Sequence, residues 1–561
     1  MKKFFSLVLA GILLSASGFA QPGKNKAAAP TNAPAQFGNA EAITAEQLKD
    51  YLSFIASDEM EGRDTPSKGL DITAKFIATM LSRWGIQPAG DNSTYFQKIS
   101  LRRDKLEPEG TSTIINGQTF KFGDDFLARP RDGSVSGQCV YVGHGWVIKD
   151  KNINAYQTET GTINVRDKIV IATPGYPKGV SFRRRGSEQN ENWIDPVKYA
   201  AQNGAKAVIF VPSFGSILTW QRTRQKALVR GALRPDKITL EEEENETEIN
   251  SVADIPVIRI SVPMLNVLFQ NEKEGAMTIF NRATSGDPVA PFDLSANKKV
   301  TINIAAKSEQ LTTQNVVAVL PGTDPVLKSE YVAIGAHYDH VGIGAPDAKG
   351  DTIYNGADDD GSGTTGVLGI AEAFAKGPHP KRSILFVWHC GEEKGLWGSE
   401  YFTKFPTVDL KQIITQLNID MIGRSKLSGD TNPANNELSG PDEIYVIGSK
   451  MMSSELGALS EKVNNSFIKL NFNYRYDDPK DTNRFFFRSD HFNYAQKGVP
   501  IIFYFDGVHE DYHRPGDQVE KIDFRKMEKV ARTVYATAWE LGNTPVRPKV
   551  DKQLPAELTA H

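Results

Sequence analysis

The C-terminal half of the chain alternates short apolar runs with a helical pattern. Apolar runs at 331–334 and 383–388 have the length of buried strands. Between them, residues 364–376 carry apolar side chains at helical spacing, namely Val367, Leu368, Ile370, Ala371 and Phe374. Further apolar runs occupy 413–419 and 499–505. This order of elements predicts an α/β fold with a mixed, largely parallel central sheet flanked by helices.

Helices are also predicted outside this pattern. Thr44 and Gln47 have the spacing of a capping box, and the apolar positions after them predict a helix to about Ala56. A second stripe at 77–84 and a third at 523–541 predict two more helices.

From residue 133 to 288 the pattern changes to short strands, and no cluster of metal-ligand residues occurs among them. The strands are predicted at 138–142, 168–172, 206–211 and 255–260. Because 561 residues exceed what one core usually supports, we predict a small β-rich domain at 133–288. It would be inserted into an α/β domain formed by 41–132 and 289–545. Residues 546–561 contain prolines without periodicity and are predicted to be a loose tail.

The net charge and the cysteine content limit the classes of protein to which this chain can belong. The net charge of -3 gives no electrostatic argument for a nucleic acid or an anionic membrane as partner, and neither is expected. The two cysteines, Cys139 and Cys390, exclude a disulfide framework. Cys390 directly precedes a glycine and two glutamates, so a reactive thiol is one reading. A small residue packed in the core is favoured.

The N-terminus has the pattern of an exported protein. Residues 1–20 combine two lysines, a short apolar stretch and small residues, which predicts a signal peptide. Residues 21–40 are predicted to be a flexible linker. We therefore expect a periplasmic or secreted protein without a membrane anchor.

Acidic and imidazole residues follow the ends of the predicted strands. They are His337, Asp339, Glu392, Glu393, Asp420 and His513, and the acidic segment 358–360 opens the predicted helix between two of these strands. Because parallel strands place their carboxyl ends at one edge of a sheet, these side chains are expected to converge. Sets of histidine and carboxylate bind divalent metals, so the pattern predicts a metal site.

Three of these segments resemble a known family. They read Ala336-His337-Tyr338-Asp339-His340, then Gly356-Ala357-Asp358-Asp359-Asp360-Gly361-Ser362-Gly363, then Gly391-Glu392-Glu393. In this order they resemble the co-catalytic zinc exopeptidases of the bacterial leucyl aminopeptidase type. Glutamate carboxypeptidase II and the transferrin receptor are more distant members. The resemblance implies the zinc exopeptidase fold and two Zn²⁺ per chain.

The resemblance also implies the metal ligands. Asp359 would bridge the two zinc ions. Glu393 and His513 would complete the protein ligands of one ion, and His337 and Asp420 those of the other.

Two further residues would take part in catalysis. Asp339 would accept the second ring proton of His337 and so orient it. Glu392 would be the general base that takes a proton from a water bridging the ions. The implied function is a zinc aminopeptidase that removes the N-terminal residue of peptides with a free N-terminus. The oligomeric state is not readable from the sequence.

Three alternatives share this fold. A carboxypeptidase of the glutamate carboxypeptidase type has the same metals, and spacing alone does not separate it from an aminopeptidase. A single-zinc glutaminyl cyclase would not use His337 and Asp420 as ligands, so the presence of both residues argues against it. A non-catalytic receptor-like protein would have lost ligands that are present here.

The sequence departs from the best-known relatives near Ser489-Asp490-His491. In those relatives, a tyrosine shortly before this segment helps to hold the substrate carbonyl oxygen. Phe486 occupies the corresponding position in this chain. The donor could instead be Tyr512. One of the three phenylalanines at 485–487 is expected to line the substrate pocket, although such a triplet also suits a core.

The predicted insertion carries a second, weaker resemblance. Residues 165–170 and 198–209 resemble the protease-associated domain that is inserted in this peptidase family. Such a domain would be a lid or a specificity module, with an inert spacer as the alternative. Within it, residues 220–250 carry blocks of opposite charge, which predict a solvated excursion rather than a basic binding patch.

Overall fold

The computed structural model of the chain describes residues 37–180, 192–221, 223–224, 232–236 and 255–554. In these residues, two large β-sheets are flanked by helices, which is the predicted α/β class. The predicted signal peptide at 1–20 and most of the predicted linker lie outside the described residues. No helix in the described ranges combines the length and apolar character needed to cross a membrane.

The first large sheet, here called the central sheet, has ten strands among the described residues. In spatial order they are Ala232–Pro235, Phe96–Leu106, Ala306–Leu320, Ser383–His389, Tyr331–His337, Ile413–Ile419, Ile501–Phe505, Glu443–Ile447 and Asn471–Asn473, with Gln87–Pro88 beside Ala306–Leu320. Four adjacent strands, from Ser383–His389 to Ile501–Phe505, run parallel. The predicted runs therefore form the middle of the sheet.

Both faces of the central sheet are covered. In the Ser383–His389 strand, Ile384, Phe386 and Trp388 pack into one core, and Leu385 and Val387 into another on the opposite face. Strands buried on both faces read as continuous apolar runs, which is why the sequence located them.

Twelve α-helices occur among the described residues. They are Ala45–Ile55, Lys68–Arg83, Pro196–Gln202, Phe214–Leu218, Val262–Leu268, Ala276–Ser285, Gly363–Lys376, Trp397–Lys404, Ser449–Met452, Ser454–Ser466, His491–Gln496 and Phe524–Asn543. Thr44 and Gln47 form the predicted capping box of the first. The almost wholly buried Gly363–Lys376 helix is the predicted crossover between two parallel strands.

The second sheet has nine strands among the described residues. In spatial order they are Gln118–Lys121, Ser112–Ile115, Lys299–Ile304, Gly133–Tyr141, Ile169–Ala172, Ala207–Phe210, Val257–Ile260 and Phe126–Ala128, with Phe292–Asp293 beside Gly133–Tyr141. Smaller ribbons are formed by Gln157–Thr158 with Gly161–Thr162, by Trp193–Ile194, Val147–Ile148 and Ile153–Asn154, and by Gly342–Ile343 with Ile353–Tyr354.

The second sheet extends beyond the predicted interval of 133–288. Lys299–Ile304 pairs along its whole length with Gly133–Tyr141, and Ser112–Ile115 pairs with Lys299–Ile304. These partners lie far apart in sequence, so periodicity alone did not reveal them. The sheet has cores of its own, and Cys139 lies in one of them while Cys390 lies in a core of the central sheet.

The second sheet is connected to the central sheet by two long neighbouring strands. Phe96–Leu106 and Ala306–Leu320 pair antiparallel, with Leu106 opposite Ala306 and Phe96 opposite Val316. The segment 107–305 therefore begins and ends next to two directly paired residues of these strands.

Two predictions of loose structure differ from what is observed. Within the charged excursion at 220–250, Ala232–Pro235 forms an edge strand on Phe96–Leu106; most of the rest lies outside the described residues. In the predicted tail, Asp551 accepts a hydrogen bond from the backbone N–H of Ser454 at 2.9 Å, and Val550 packs on the core. Residues 546–554 are thus attached to the domain.

Candidate metal centre

The strand ends bring all seven predicted site residues together at one edge of the central sheet. His337 ends the Tyr331–His337 strand, and Asp420 follows Ile413–Ile419 directly. Glu392 and Glu393 stand three and four residues after the Ser383–His389 strand. The remaining residues lie in loops: Asp359 precedes the crossover helix, Asp339 follows His337, and His513 follows Ile501–Phe505. The parallel topology thus produces the predicted convergence.

One group of ligand atoms surrounds Glu393. His513 Nε2 lies 3.0 Å from Glu393 Oε1 and 3.0 Å from Asp359 Oδ2. His340 Nδ1 lies 2.9 Å from the same glutamate oxygen. Together with Asp359, these side chains form a four-residue cluster that could hold a metal ion.

A second group surrounds His337. Its Nε2 lies 3.7 Å from Asp420 Oδ2, 3.9 Å from Glu392 Oε2 and 3.3 Å from Asp359 Oδ1. Asp359 therefore presents one carboxylate oxygen to each group. This is the geometry that a bridging carboxylate requires.

The donor set fits two divalent cations. Several buried atoms facing the centre have no hydrogen-bond partner among the described residues: His337 Nε2, His340 Nδ1, Asp359 Oδ2 and Glu393 Oε1. Leaving buried polar atoms without partners is costly, so their convergence indicates a ligand. Nitrogen and carboxylate oxygen donors suit zinc in particular.

The carboxylates of the centre differ in their affinity for protons. Burial raises the pKa of Asp359, but His340, His337 and His513 together hold it well below its usual value. Burial raises the pKa of Glu392 well above its usual value, and repulsion from Glu393 and Asp420 adds to this against the attraction of His337. Asp359 is thus held as an anion, whereas Glu392 is the carboxyl group prepared to carry a proton.

His513 is the most exposed of these side chains, with 36% of its surface accessible. Burial lowers its pKa, but the neighbouring Asp359 and Glu393 carboxylates outweigh this and raise the pKa to about 10.

Asp339 does not make the predicted contact. His337 Nδ1 lies 3.1 Å from the backbone oxygen of Asp339 but 3.7 Å from its carboxylate, so the carbonyl orients the ring. The carboxylate instead accepts the backbone N–H of Glu392 at 3.1 Å. Asp339 therefore fixes the loop that carries both glutamates.

Neighbouring polar groups fix the other ligands. Ser489 Oγ donates to Asp420 Oδ2 at 2.5 Å, and Asp517 accepts the backbone N–H groups of Asp358 and Asp359. Thr364 Oγ1 donates to the backbone oxygen of His337 at 2.6 Å. The ligands are thus held by one helix residue and two loop residues.

The N-terminal segment at 57–63 reaches this centre through Arg63, which is fully buried. Its guanidinium donates to four backbone oxygens, those of Ile55, Tyr338, Asn355 and Gly356, at 2.7–3.0 Å. Three of these oxygens belong to the two loops that carry His337 and Asp359. Arg63 therefore joins both ligand loops.

A small pocket of about 30 Å³, with polar and apolar lining, opens beside the second group. It is lined by Met421, Phe485, Phe503, Phe505 and Val508, together with Asp359, Glu392, Asp420, Arg488 and Tyr512. Phe485 thus lines the pocket, whereas Phe486 packs against His491 in the core. Tyr512 has its hydroxyl 3.4 Å from Arg488 and is available as a hydrogen-bond donor.

Sequence reasoning missed His340 and Arg63. The motif containing His340 was recognised, but the residue received no role. Gly62, which precedes Arg63, has a φ of 66°, and an added Cβ there would lie 2.4 Å from the Tyr354 oxygen, but a single glycine in the sequence does not indicate a buried arginine. The free thiol of Cys390 is fully buried, and burial raises its pKa, so it is a packing residue.

Part of the chain is similar to known peptidases. Residues 315–538 match the model of Peptidase family M28. Leucine aminopeptidase 2 of Trichophyton rubrum is 27% identical over 296 residues, covering 48% of this chain and 53% of that protein. A probable leucine aminopeptidase of Arthroderma benhamiae is 26% identical over 274 residues, covering 46% and 68%. The chain spans about half the length of the first of these relatives.

The fold also has a counterpart among solved structures. The aminopeptidase from Aneurinibacillus sp. strain AM-1 matches with a TM-score of 0.50 and 18% identity. The match covers 92% of this chain and 97% of that one. At this identity the likeness concerns the fold.

Proposed function

We propose that this chain, whose residues 315–538 match the model of Peptidase family M28, is a zinc-dependent aminopeptidase that removes the N-terminal residue of peptides. The observation that carries the proposal is the pair of ligand groups that share Asp359 beside a small pocket. The metal ligands would be His337, Asp420, Glu393 and His513, with Asp359 between the two ions.

Two bound zinc ions would lower the pKa of a water molecule and polarise the scissile carbonyl. Glu392 would take the proton from the attacking water and pass it to the leaving amine, a role that its burial and raised pKa support. The Asp339 carboxylate, through the backbone N–H of Glu392, would hold this base in position. Tyr512 would donate a hydrogen bond to the carbonyl oxygen in place of the absent tyrosine at Phe486.

The pocket lies beside the proposed metal positions, since Asp359, Glu392 and Asp420 line it. The free α-amine of a peptide would bind there at the metal pair. The apolar lining suits a hydrophobic first side chain. Arg488 at the rim is the one observation that favours the alternative, a carboxypeptidase binding a C-terminal carboxylate.

A peptide panel separates these two functions. The zinc-loaded protein would be incubated with a leucyl tripeptide in free, N-acetylated and C-amidated forms, and released amino acids would be quantified. We expect hydrolysis of the free and amidated forms with release of leucine. Release of the C-terminal residue from the acetylated form would favour the carboxypeptidase, and no release from any form would refute both.

We also propose export and a specificity role for the inserted unit. Residues 1–20 would be removed as a signal peptide. The second sheet, which has its own cores, would act as the protease-associated domain suggested by residues 165–170 and 198–209. N-terminal sequencing of the mature protein and exchange of this unit between relatives would test the two proposals.

A further inference from the structure

We propose that His340 is a fourth protein ligand of the ion held by Asp359, Glu393 and His513. This inference rests on the proposed zinc centre and extends it. The two metal positions would then differ in kind. One would be enclosed by four protein groups, and the other, at His337 and Asp420, would keep a free position.

The ring of His340 is fixed in place by its surroundings. It is fully buried, and its backbone N–H donates to the oxygen of Arg63 at 3.2 Å. Gly356 packs against the ring, because an added Cβ there would come within 2.5 Å of it. The ring also meets that of His513 edge to face, at 5.5 Å between centroids. Such packing presents one ring nitrogen in a defined direction.

The distances within the cluster match a four-coordinate ion. Zinc bonds to nitrogen and oxygen are about 2.0–2.1 Å, so neighbouring ligands of a tetrahedral ion lie about 3.3 Å apart. His340 Nδ1 lies 2.9 Å from Glu393 Oε1 and 3.7 Å from Asp359 Oδ2. His513 Nε2 lies 3.0 Å from each of the same oxygens. Three of these separations are shorter and one is longer than the distance between neighbouring ligands of a tetrahedral zinc ion.

The hydrogen-bonding state of His340 supports a ligand role. Neither of its ring nitrogens has a hydrogen-bond partner among the described residues, although both are buried. A histidine that served only to orient Glu393 would donate a well-aligned hydrogen bond to it. The ring nitrogen instead faces the space shared by Glu393 and Asp359. A cation there would satisfy His340 Nδ1 together with the facing oxygens of Glu393 and Asp359.

The two metal positions would therefore have different roles. Closed four-ligand sites hold zinc tightly, whereas catalytic sites keep a position free for water or substrate. Glu392 Oε2 lies 3.9 Å from His337 Nε2, so the base is on the side of the open position. We therefore expect one ion to bind firmly and the other to exchange more readily.

X-ray absorption spectroscopy tests the inference on the protein itself. Metal-free protein would receive one equivalent of Zn²⁺, and the imidazole contribution to the zinc spectrum would be measured. Two imidazoles are expected in the wild type and one in His340→Asn. The matched control is His491→Asn, since His491 is equally buried but lies outside both groups. That variant should retain two imidazoles.

A second measurement follows the binding constant. Chelator competition should show that His340→Asn weakens the tighter site by more than 100-fold, the upper range for loss of a residue that only orients a ligand. Imidazole added to His340→Gly should recover part of this loss.

A single imidazole in one-zinc wild type would overturn the inference, whether or not any variant folds. An unchanged affinity of His340→Asn would do the same. Absence of peptidase activity would refute the proposed function but leave both results standing, since neither uses a substrate.

Discussion

Replacing Arg63 with methionine should destabilise the protein and loosen both ligand loops. Methionine is unbranched and fills similar space, but it donates no hydrogen bond. Four backbone oxygens that now accept from the guanidinium would lose a donor in a buried environment. A buried acceptor left without a partner costs about 1–3 kcal/mol.

The full sum of these losses overestimates the effect. Burial lowers the pKa of Arg63 to about 10 against the attraction of nearby aspartates, so desolvation of the charged side chain already opposes part of what its hydrogen bonds contribute. The variant no longer carries this cost, and the loops relax around the gap. We therefore expect a net destabilisation of about 2–5 kcal/mol.

Denaturant unfolding of the metal-free protein measures this effect without contribution from bound ions. Arg63→Lys should recover only part of the loss, because one ammonium group cannot serve four separated oxygens. Arg102→Met is the control, since Arg102 makes a partly exposed ion pair with Asp104 at 3.4 Å and should change stability by less than about 1 kcal/mol. Hydrogen exchange should show the Arg63→Met effect at residues 355–360. If Arg63→Met stays within 1 kcal/mol of wild type, the reasoning about this residue is wrong.

Other predictions address the chemistry and the insertion. Glu392→Gln should keep both metal ions and lose about 10²–10⁴ in kcat, as for a positioned general base; metal loss in this variant would contradict the assignment. Glu393→Gln should weaken metal binding itself, which elemental analysis after dialysis would reveal. Saturated wild type should hold two zinc ions, and His337→Ala should reduce this number; one ion in both would favour a single-zinc site. Replacing 107–305 by an Asn-Gly turn should leave a folded protein that still binds two ions, whereas loss of both ions would show that the centre depends on the insertion.

Much of the fold followed from the sequence because its main strands are buried on both faces. Ile413–Ile419 begins and ends where the predicted apolar run does. The bounds of the insertion were less accessible, since Lys299–Ile304 alternates like any half-buried strand and its partner lies more than 150 residues away.

The candidate site was predictable where metal-ligand residues directly follow a predicted strand. Arg63 was not, because arginine is normally solvated and its acceptors are backbone oxygens without a sequence signature. The orientation of His337 also escaped prediction, since the contact comes from a carbonyl and not from the Asp339 carboxylate. Spacing identifies which residues meet, but not which atoms do.

The pairing of Leu106 with Ala306 makes the whole inserted unit the turn of a long β-hairpin. Farther along the same hairpin, Val316 lies opposite Trp388 in the strand that leads to Glu392 and Glu393. A torque on the inserted unit would therefore twist a two-stranded ribbon whose far end borders the catalytic strand. The inserted unit is thus connected through paired strands to the strand that precedes the two glutamates of the candidate centre.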